Sequence, residues 1–187
     1  MIQNLFKTEI FNGQIEGHIP QEYKEEIKII QSKYNSVTIS NRGGYQSPVL
    51  QPKGALIDLF DQNMPYPLGL LKESYGVKQE LRLQGFWVNV NKSSDYNIAH
   101  VHPGCVFSGV FYLKAPKDSG SILFHSPYGD MVEYSNQVRK LSTVFHTTWK
   151  IPVQRGLLLL FPSWMKHSVE LSNTDSERIS LAFNYGW

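Results

Sequence analysis

The sequence predicts a mainly β fold, a sandwich or barrel of short strands with helices packed outside one sheet. Two observations support this prediction. From residue 79 onward, short apolar runs with alternating faces are separated by turns of Gly, Pro, Asn and Ser. Before residue 79, apolar residues recur at helical spacing instead. We therefore expect one domain, residues 1–187, with a helical and irregular support in 1–78 and a β-rich core in 79–187.

Length, composition and charge are those of an ordinary globular protein. The 187 residues are enough for one domain with a sizeable core, and 41% of them are hydrophobic and 18% charged. The net charge of +2 is small and evenly spread, so we expect neither nucleic acid nor a membrane surface as a partner. The single cysteine, Cys105, excludes an internal disulfide and fits a reducing compartment.

Targeting and membrane signals are absent from the sequence. No apolar stretch approaches the roughly 20 residues that span a bilayer. The N-terminus, MIQNLFKTEIFNGQ, lacks the basic and then apolar order of a signal peptide. We therefore expect a cytoplasmic protein, whose oligomeric state the sequence does not indicate.

Two N-terminal segments are predicted to be non-helical. Residues 5–15 form a strand interrupted by a turn at Asn12-Gly13, and residues 35–52 form a long irregular segment. Long loops in compact domains often bind substrates. Within this one, Tyr45 and Gln46 therefore either face a substrate or serve packing.

Two helical regions are predicted to brace the sheets. The first begins after Pro20, and the second covers residues 53–75 with a break at residues 63–67 caused by two prolines. The first helix has one apolar stripe, which consists of Tyr23, Ile27, Ile30 and Tyr34.

The β-rich core begins at Gln79 with a strand whose two faces differ. Trp87 and Asn89 share one face, and the other face carries Phe86, Val88 and Val90. Later strands are expected near residues 105–114, 121–125, 144–151, 157–161, 168–171 and 178–184.

Three histidines suggest a transition-metal site. One residue separates His100 from His102, so in an extended segment both side chains point to the same side. His167 follows the apolar run 156–161 and a turn. Neutral imidazole is the commonest metal ligand in proteins. For His100 and His102 taken alone, the alternative is that both line a polar strand edge or that one of them satisfies a buried hydrogen bond.

A candidate anion clamp follows the third histidine. In RISLAF, residues 178–183, Arg178 and Ser180 share one face of a strand. The guanidinium offers paired donors in a fixed fork and the hydroxyl adds one more, which suits a carboxylate. The alternative is a solvated surface arginine.

Taken together, the motifs resemble the non-haem Fe(II), 2-oxoglutarate-dependent oxygenases, particularly the branch similar to prolyl 4-hydroxylases. The motifs are HVHPG, SGVFYL, GSILFHSP, LLLLFPSWMKH and RISLAFN. The sequence also resembles a less characterised subgroup of these oxygenases, some encoded by bacteriophages, with HPG and FPSWxxH motifs and a segment like GGYQS. For a phage-encoded member, the expected location is the host cytoplasm.

The resemblance implies a double-stranded β-helix, the jelly roll of cupin-like proteins. It also implies an enzyme that uses Fe(II), 2-oxoglutarate and O2 to hydroxylate a peptidyl proline or a small molecule, with release of succinate and CO2. Arg178 would clamp the distal carboxylate of 2-oxoglutarate with support from Ser180 and Tyr112. Ser108, on the same face as Tyr112, would add a donor.

At the metal site the chain departs from the family. The family has Asp or Glu two residues after the first histidine, where this chain has His102. Imidazole binds Fe(II) well, so we expect His100, His102 and His167 to be the ligands. The alternative is a site of one HVH histidine, His167 and a carboxylate such as Asp130.

Four further residues receive minor roles. His125 and His146 lie on apparent strands without ligand spacing, so we expect core or edge roles for them. Asn97 and Trp164 are expected to line the mouth of the site. The choice of substrate depends on loops such as 40–52 and 126–138.

Two other functions remain open from the sequence. A cupin-like metalloenzyme could use the three histidines for dioxygenation or isomerisation without 2-oxoglutarate, although it would not need Arg178 and Ser180. A non-enzymatic jelly-roll module could instead bind sugars or proteins through Trp87, Trp149 and Trp164.

Overall fold

A computed structural model of the chain describes residues 8–17, 19–129, 136–140 and 146–187. None of the helices in these ranges is long and apolar enough to cross a membrane. The helices are α1 (Gln21–Lys33), α2 (Ala55–Asn63), α3 (Pro65–Tyr75) and α4 (Asn136–Arg139). The strands are β1 (Phe11–Gln14), β2 (Asn41–Arg42), β3 (Tyr45–Gln46), β4 (Arg82–Asn91), β5 (Tyr96–His100), β6 (Phe107–Lys114), β7 (Ser121–His125), β8 (Thr148–Pro152), β9 (Leu157–Pro162), β10 (His167–Val169) and β11 (Arg178–Gly186).

The strands form two antiparallel sheets. The larger sheet has the order β1-β9-β6-β11-β4-β3, and the smaller has the order β2-β5-β10-β7-β8. Residues of both sheets line a cavity between them. This is the mainly β, jelly-roll fold with flanking helices that the sequence predicts, so the predicted fold class is confirmed.

The outer face of the larger sheet packs against the helices. Phe60 of α2 contacts Phe86 of β4 and Phe183 of β11, with ring centroids 5.7 and 5.3 Å apart. Because side chains alternate along a strand, the neighbours of these phenylalanines face the cavity. Strand β4 thereby presents Trp87 and Asn89 to the inside, as its pattern predicts.

The N-terminal strand differs from its prediction. Asn12 and Gly13 form no turn but lie inside β1, where they pair with β9. The ring of Phe11 covers Gly13 so closely that a Cβ there would lie 2.5 Å from it. This glycine therefore makes room for a side chain within a strand, which is why its dipeptide was a misleading turn signal. Residues 5–7 of the predicted strand lie outside the described residues.

The segment 35–52 is more regular than predicted. It contains the short strands β2 and β3, which pair with β5 and β4. The Tyr45 hydroxyl hydrogen-bonds to the carbonyls of Ile30 and Tyr34 at 3.3 and 3.0 Å, and the side chain of Gln46 is buried. Both residues therefore serve packing, the second of the two roles considered for them.

The other elements follow the predictions closely. The helical region breaks at Met64, and Pro65 and Pro67 lie in the first turn of α3. Strand β7 has the predicted bounds, and β8 begins at Thr148, whereas residues 144–145 of its prediction lie outside the described residues. Strand β10 begins at His167 itself, which places this residue inside a sheet.

Ile27→Ala should lower the free energy of unfolding by about 2–5 kcal/mol, because this side chain of α1 is 1% exposed and its loss leaves a cavity. Denaturant unfolding measures the change. Ile29→Ala is the matched control on the same helix, where the side chain is 61% exposed, and should change the free energy by about 0.5 kcal/mol or less. Equal losses in both variants would contradict the buried face assigned to α1.

Candidate metal centre

Three histidine side chains converge in the cavity between the sheets. The ligand nitrogens of His100, His102 and His167 all lie within 4.8 Å of one another. His100 ends β5 and pairs with His167, which begins β10. His102 follows β5, and its backbone N–H donates to the Ser163 carbonyl at 2.9 Å. The structure thus brings together the three histidines that the sequence predicts as ligands.

An irregularity in β5 aims His100 at the cavity. His100 pairs with His167 and Asn97 pairs with Val169, so two residues of β5 stand opposite Ser168 alone. In a regular strand Asn97 and His100 would point to opposite faces, because they are an odd number of residues apart. With the shift, both line the cavity. Such bulges commonly re-aim a side chain beside an active site.

Backbone carbonyls fix the tautomers of two of the histidines. His100 Nδ1 lies 2.7 Å from the Ile98 carbonyl oxygen, and His167 Nδ1 lies 2.9 Å from that of Met165. A carbonyl oxygen only accepts, so each Nδ1 carries the proton and donates it. In the neutral rings the lone pair is therefore on Nε2, the arrangement typical of metal-binding histidines.

Burial keeps the histidines in the neutral form that binds a metal. Burial, and after it the neighbouring imidazoles, lower the pKa of His167 to about 3 and that of His102 to about 4. Burial also lowers the pKa of His100. Protons therefore do not compete with a metal for these nitrogens at neutral pH.

Aromatic rings hold the histidines in place. The indole of Trp87 stacks on His102 with ring centroids 5.3 Å apart and an angle of 28° between the planes. The ring of Phe161 meets His167 edge-on at 4.7 Å. These contacts fix the orientation of the imidazoles and exclude water from one side of each ring.

The other predicted candidates stand apart from this cluster. His125 Nε2 lies 2.9 Å from Ser168 Oγ, and His146 Nε2 donates to the Arg139 carbonyl at 3.2 Å. Asp130, the alternative ligand, lies outside the described residues. Within the described ranges, no carboxylate joins the histidine cluster.

Arg178 is a buried cation with an unused donor. It begins β11, is 1% exposed and lines the same cavity as the histidines. Its Nη1 donates to the Ser119 carbonyl, whereas the buried Nη2 has no hydrogen-bond partner in the part of the chain that the structure describes. Burial lowers its pKa, but a guanidinium stays charged in proteins. The surface alternative for this arginine is therefore wrong.

A polar row on the larger sheet adjoins Arg178. Ser180 of β11 pairs with Tyr112 of β6 on one side and with Asn89 of β4 on the other. All three side chains are buried and line the cavity. Burial raises the pKa of Tyr112 to about 12, against the opposing effect of the Arg178 charge, so the phenol keeps its proton. The row can therefore donate hydrogen bonds to an anion.

Ser108 does not join this row. Its hydroxyl lies 2.7 Å from Ser163 Oγ and donates to Asn184 Oδ1 at 2.7 Å, and it is not among the residues that line the cavity. Asn97 does line the cavity, as predicted, whereas the half-exposed Trp164 does not.

The cavity also contains residues that the sequence did not assign to the metal or co-substrate site. Ser40, Trp87 and Asn89 line it, although only the alternation of β4 pointed to a shared face for the latter two. The Asn89 Oδ1 accepts from Asn41 Nδ2 at 3.1 Å. Their place beside the histidines follows from strand pairing, which no local pattern specified.

The chain belongs to the 2OG-Fe(II) oxygenase family, whose sequence profile matches residues 85–184, more than half of the chain. No curated protein matches the sequence. Family members use Fe(II), 2-oxoglutarate and O2, so the predicted enzyme class and cofactors are confirmed. The two other functions considered from the sequence are thereby set aside.

Solved structures of similar fold include several such oxygenases. A Pseudomonas putida prolyl-4-hydroxylase has a TM-score of 0.63 at 14% identity, covering 94% of this chain and 92% of that one. HygX from Streptomyces hygroscopicus, with nickel, 2-oxoglutarate and hygromycin B bound, has a TM-score of 0.61 at 15% identity, covering 96% and 83%. The viral collagen prolyl hydroxylase vCPH from Paramecium Bursaria Chlorella virus-1 has a TM-score of 0.58 at 15% identity, covering 93% and 94%.

The metal-free protein should lose stability as the pH falls from about 7 to 4. The unfolded chain takes up protons on histidine below about pH 6.5. The folded chain resists this uptake, because burial keeps the pKa of His102 at about 4 and that of His167 at about 3. Their contribution is therefore fully present above pH 6.5 and is lost as the pH falls towards these values.

Urea unfolding at a series of pH values measures this loss. His167→Phe, which removes one of the titrating groups, should flatten the dependence between pH 6.5 and 4. Ile27→Ala is the control, since it should lower the free energy of unfolding by the same amount at every pH. An identical slope in His167→Phe and the unmodified protein would contradict the prediction.

Proposed function

We propose that the chain is a hydroxylase in which His100, His102 and His167 bind Fe(II), and that its substrate is a peptidyl proline or a small molecule. One observation carries this proposal. A single cavity is lined by three neutral imidazoles and by a buried guanidinium whose Nη2 has no partner among the described residues. These are the groups needed to hold a divalent metal and a dicarboxylate.

The histidine geometry supports the metal site. His102 Nε2 and His167 Nε2 are 3.3 Å apart. Because His167 Nε2 carries a lone pair, either a proton on His102 Nε2 or a cation must lie between the two nitrogens. Imidazole nitrogens suit Fe(II), and three ligands leave coordination positions for co-substrate and O2. The donor set therefore fits the metal of the family.

The buried Arg178 supports the co-substrate site. Leaving a buried charge unpaired costs several kcal/mol, so a guanidinium with an unused donor favours an incoming anion. Ser180 and the protonated Tyr112 lie in the same wall and can donate further hydrogen bonds. We assign these three residues to the distal carboxylate of 2-oxoglutarate.

When bound, Fe(II), 2-oxoglutarate and O2 supply the oxidation and release succinate and CO2. The chain itself binds, orients and excludes water. The carbonyls of Ile98 and Met165 orient two imidazoles, and Trp87 and Phe161 cover the rings. Tyr112 keeps its phenol proton and donates it in a hydrogen bond without releasing it.

The relatives of similar fold support both substrate classes. HygX holds hygromycin B in its structure, and the Pseudomonas relative is a prolyl-4-hydroxylase. We assign substrate selection to the loops 40–52 and 126–138, of which residues 130–135 lie outside the described ranges. Succinate release stimulated by a prolyl peptide or by hygromycin B would distinguish the classes. We also propose a cytoplasmic location, which the single cysteine supports.

His167→Ala should abolish binding of Fe(II), because two remaining ligands hold a divalent metal poorly. Anaerobic loading followed by iron quantification measures the stoichiometry. His125→Ala is the control, since this histidine lies on the adjacent strand β7 and outside the cluster. Stoichiometric iron in His167→Ala would remove this residue from the proposed site.

Arg178→Ala should keep the iron but weaken 2-oxoglutarate binding by about 2–4 kcal/mol, because the distal carboxylate loses its charged partner. The measurement is an anaerobic titration of the Fe(II)-loaded protein, followed by the visible charge-transfer band of the chelated keto acid. Arg155→Ala is the control, since the Arg155 side chain is exposed and, among the described contacts, bonds only the Gly17 carbonyl. Unchanged affinity in Arg178→Ala would show that the clamp is assigned wrongly.

A further inference from the structure

Two buried polar atoms without partners belong to residues that bond each other. Within the described ranges, the buried side-chain atoms that lack a hydrogen-bond partner are Ser119 Oγ, Arg139 Nε and Arg178 Nη2. Arg178 Nη1 donates to the backbone carbonyl of Ser119. Ser119, whose carbonyl accepts from Arg178, is therefore as deeply buried as Arg178 itself, and its hydroxyl forms no hydrogen bond with the described residues.

Ser119 lies in a tight turn, residues 116–120, between β6 and β7. The turn has two residues with positive φ, Asp118 at 64° and Gly120 at 90°. The N–H of Ser119 donates to the Pro116 carbonyl at 3.3 Å, and the N–H of Asn173 donates to the Asp118 carbonyl at 2.9 Å. Bonds within the turn and to the segment before β11 therefore fix the Ser119 carbonyl.

Gly120 leaves only enough space for the guanidinium. A Cβ at this position would lie 2.7 Å from the Glu170 carbonyl oxygen and 3.1 Å from Arg178 Nη1. Any side chain would therefore push against Arg178 as well as strain the backbone, whose φ of 90° favours glycine. The backbone of the turn and the guanidinium are packed directly against each other.

The packing of the turn against Arg178 restricts the orientation of the guanidinium. A guanidinium with an unpaired donor would turn towards any nearby acceptor, and the co-substrate would then have to displace that acceptor. The nearby carboxylate of Asp95 accepts from the Lys92 N–H at 2.7 Å and forms no ion pair with Arg178 among the described contacts. Because the Ser119 carbonyl holds Nη1, the guanidinium cannot rotate to direct Nη2 towards another acceptor. A donor that is preorganised in this way binds an anion more tightly than a mobile donor does.

We propose that Ser119 and Gly120 are positioning residues for the co-substrate: the Ser119 carbonyl and the space at Gly120 hold Arg178 so that Nη2 meets the distal carboxylate of 2-oxoglutarate. This inference rests on the proposed role of Arg178. It assigns no role to the Ser119 hydroxyl, because that atom has no partner among the described residues and Ser119 is not among those that line the cavity with the histidines.

The test compares two keto acids on the Fe(II)-loaded protein under anaerobic conditions. 2-Oxoglutarate and 2-oxobutyrate share the chelating end, but only the first has a distal carboxylate. Gly120→Ala should weaken 2-oxoglutarate on the order of tenfold or more, the effect of disturbing a hydrogen bond to a charged group. Binding of 2-oxobutyrate should be unchanged. A purely structural effect would instead weaken both keto acids or lower the iron content.

Two controls match this substitution. Gly76→Ala places the same side chain at another positive φ, 67°, with nothing within 4 Å, and should leave both affinities unchanged. Ser119→Ala removes the hydroxyl and keeps the carbonyl, so it should also leave them unchanged. If Ser119→Ala weakened 2-oxoglutarate as much as Gly120→Ala, the role would belong to the hydroxyl and the proposal would be overturned.

A double-variant comparison separates this inference from the proposed function. In the Arg178→Ala background, Gly120→Ala should cause no further loss of 2-oxoglutarate affinity, because the turn acts through Arg178. An additional loss there would overturn the positioning role while leaving the clamp intact. Arg178→Ala without effect would instead overturn the clamp itself.

Arg178→Lys tests the same idea if Gly120→Ala does not fold. Lysine keeps the positive charge but has a single nitrogen. It cannot donate to the Ser119 carbonyl with one nitrogen and keep a second nitrogen available for the co-substrate, as the guanidinium can. We expect a loss on the order of tenfold or more in 2-oxoglutarate affinity, with 2-oxobutyrate unaffected. Full affinity in Arg178→Lys would show that orientation is irrelevant, and the proposal would fall.

Discussion

The pairing of β5 with β10 is the constraint on which the candidate site depends. It sets His100 opposite His167, and the shifted register turns His100 to the cavity face that Asn97 also occupies. A slip of one residue in either strand would direct its histidine to the opposite face. His102 lies beyond the end of β5, and its backbone is held by the hydrogen bond that its N–H donates to the Ser163 carbonyl. The sheet, rather than a flexible loop, therefore fixes the geometry of the cluster.

The polar groups that line the cavity lower the stability of the fold. Three imidazoles lose hydration, and the Arg178 guanidinium is buried with one nitrogen unpaired among the described contacts. Two apolar clusters on either side of the larger sheet offset these losses. One lies under the helices around Phe60 and Phe183, and the other lies between the sheets around Phe124 and Phe161. The scaffold can thus hold a charged and desolvated site.

Sequence patterns predicted what depends on local spacing. Alternation in β4 and β11 placed Trp87 with Asn89 and Arg178 with Ser180 on shared faces, and the HVH spacing placed two imidazoles on one side. Features that arise from pairing between distant segments were not predictable. Gly13 looked like part of a turn until the strand partner of β1 was known, and Ser108 shared a face with Tyr112 but met Ser163 and Asn184 instead.

Charge explains why a histidine can stand where relatives have a carboxylate. A neutral His102 leaves a bound divalent metal one unit more positive than an acidic ligand would. Arg178 adds a further positive charge to the same cavity, and no carboxylate in the described ranges joins the cluster to balance it. In the proposed site, a ligand with two negative charges, one near the metal and one near the guanidinium, would balance these positive charges. A dicarboxylate keto acid has this distribution, so the proposed ligand set and the buried arginine both favour the same partner.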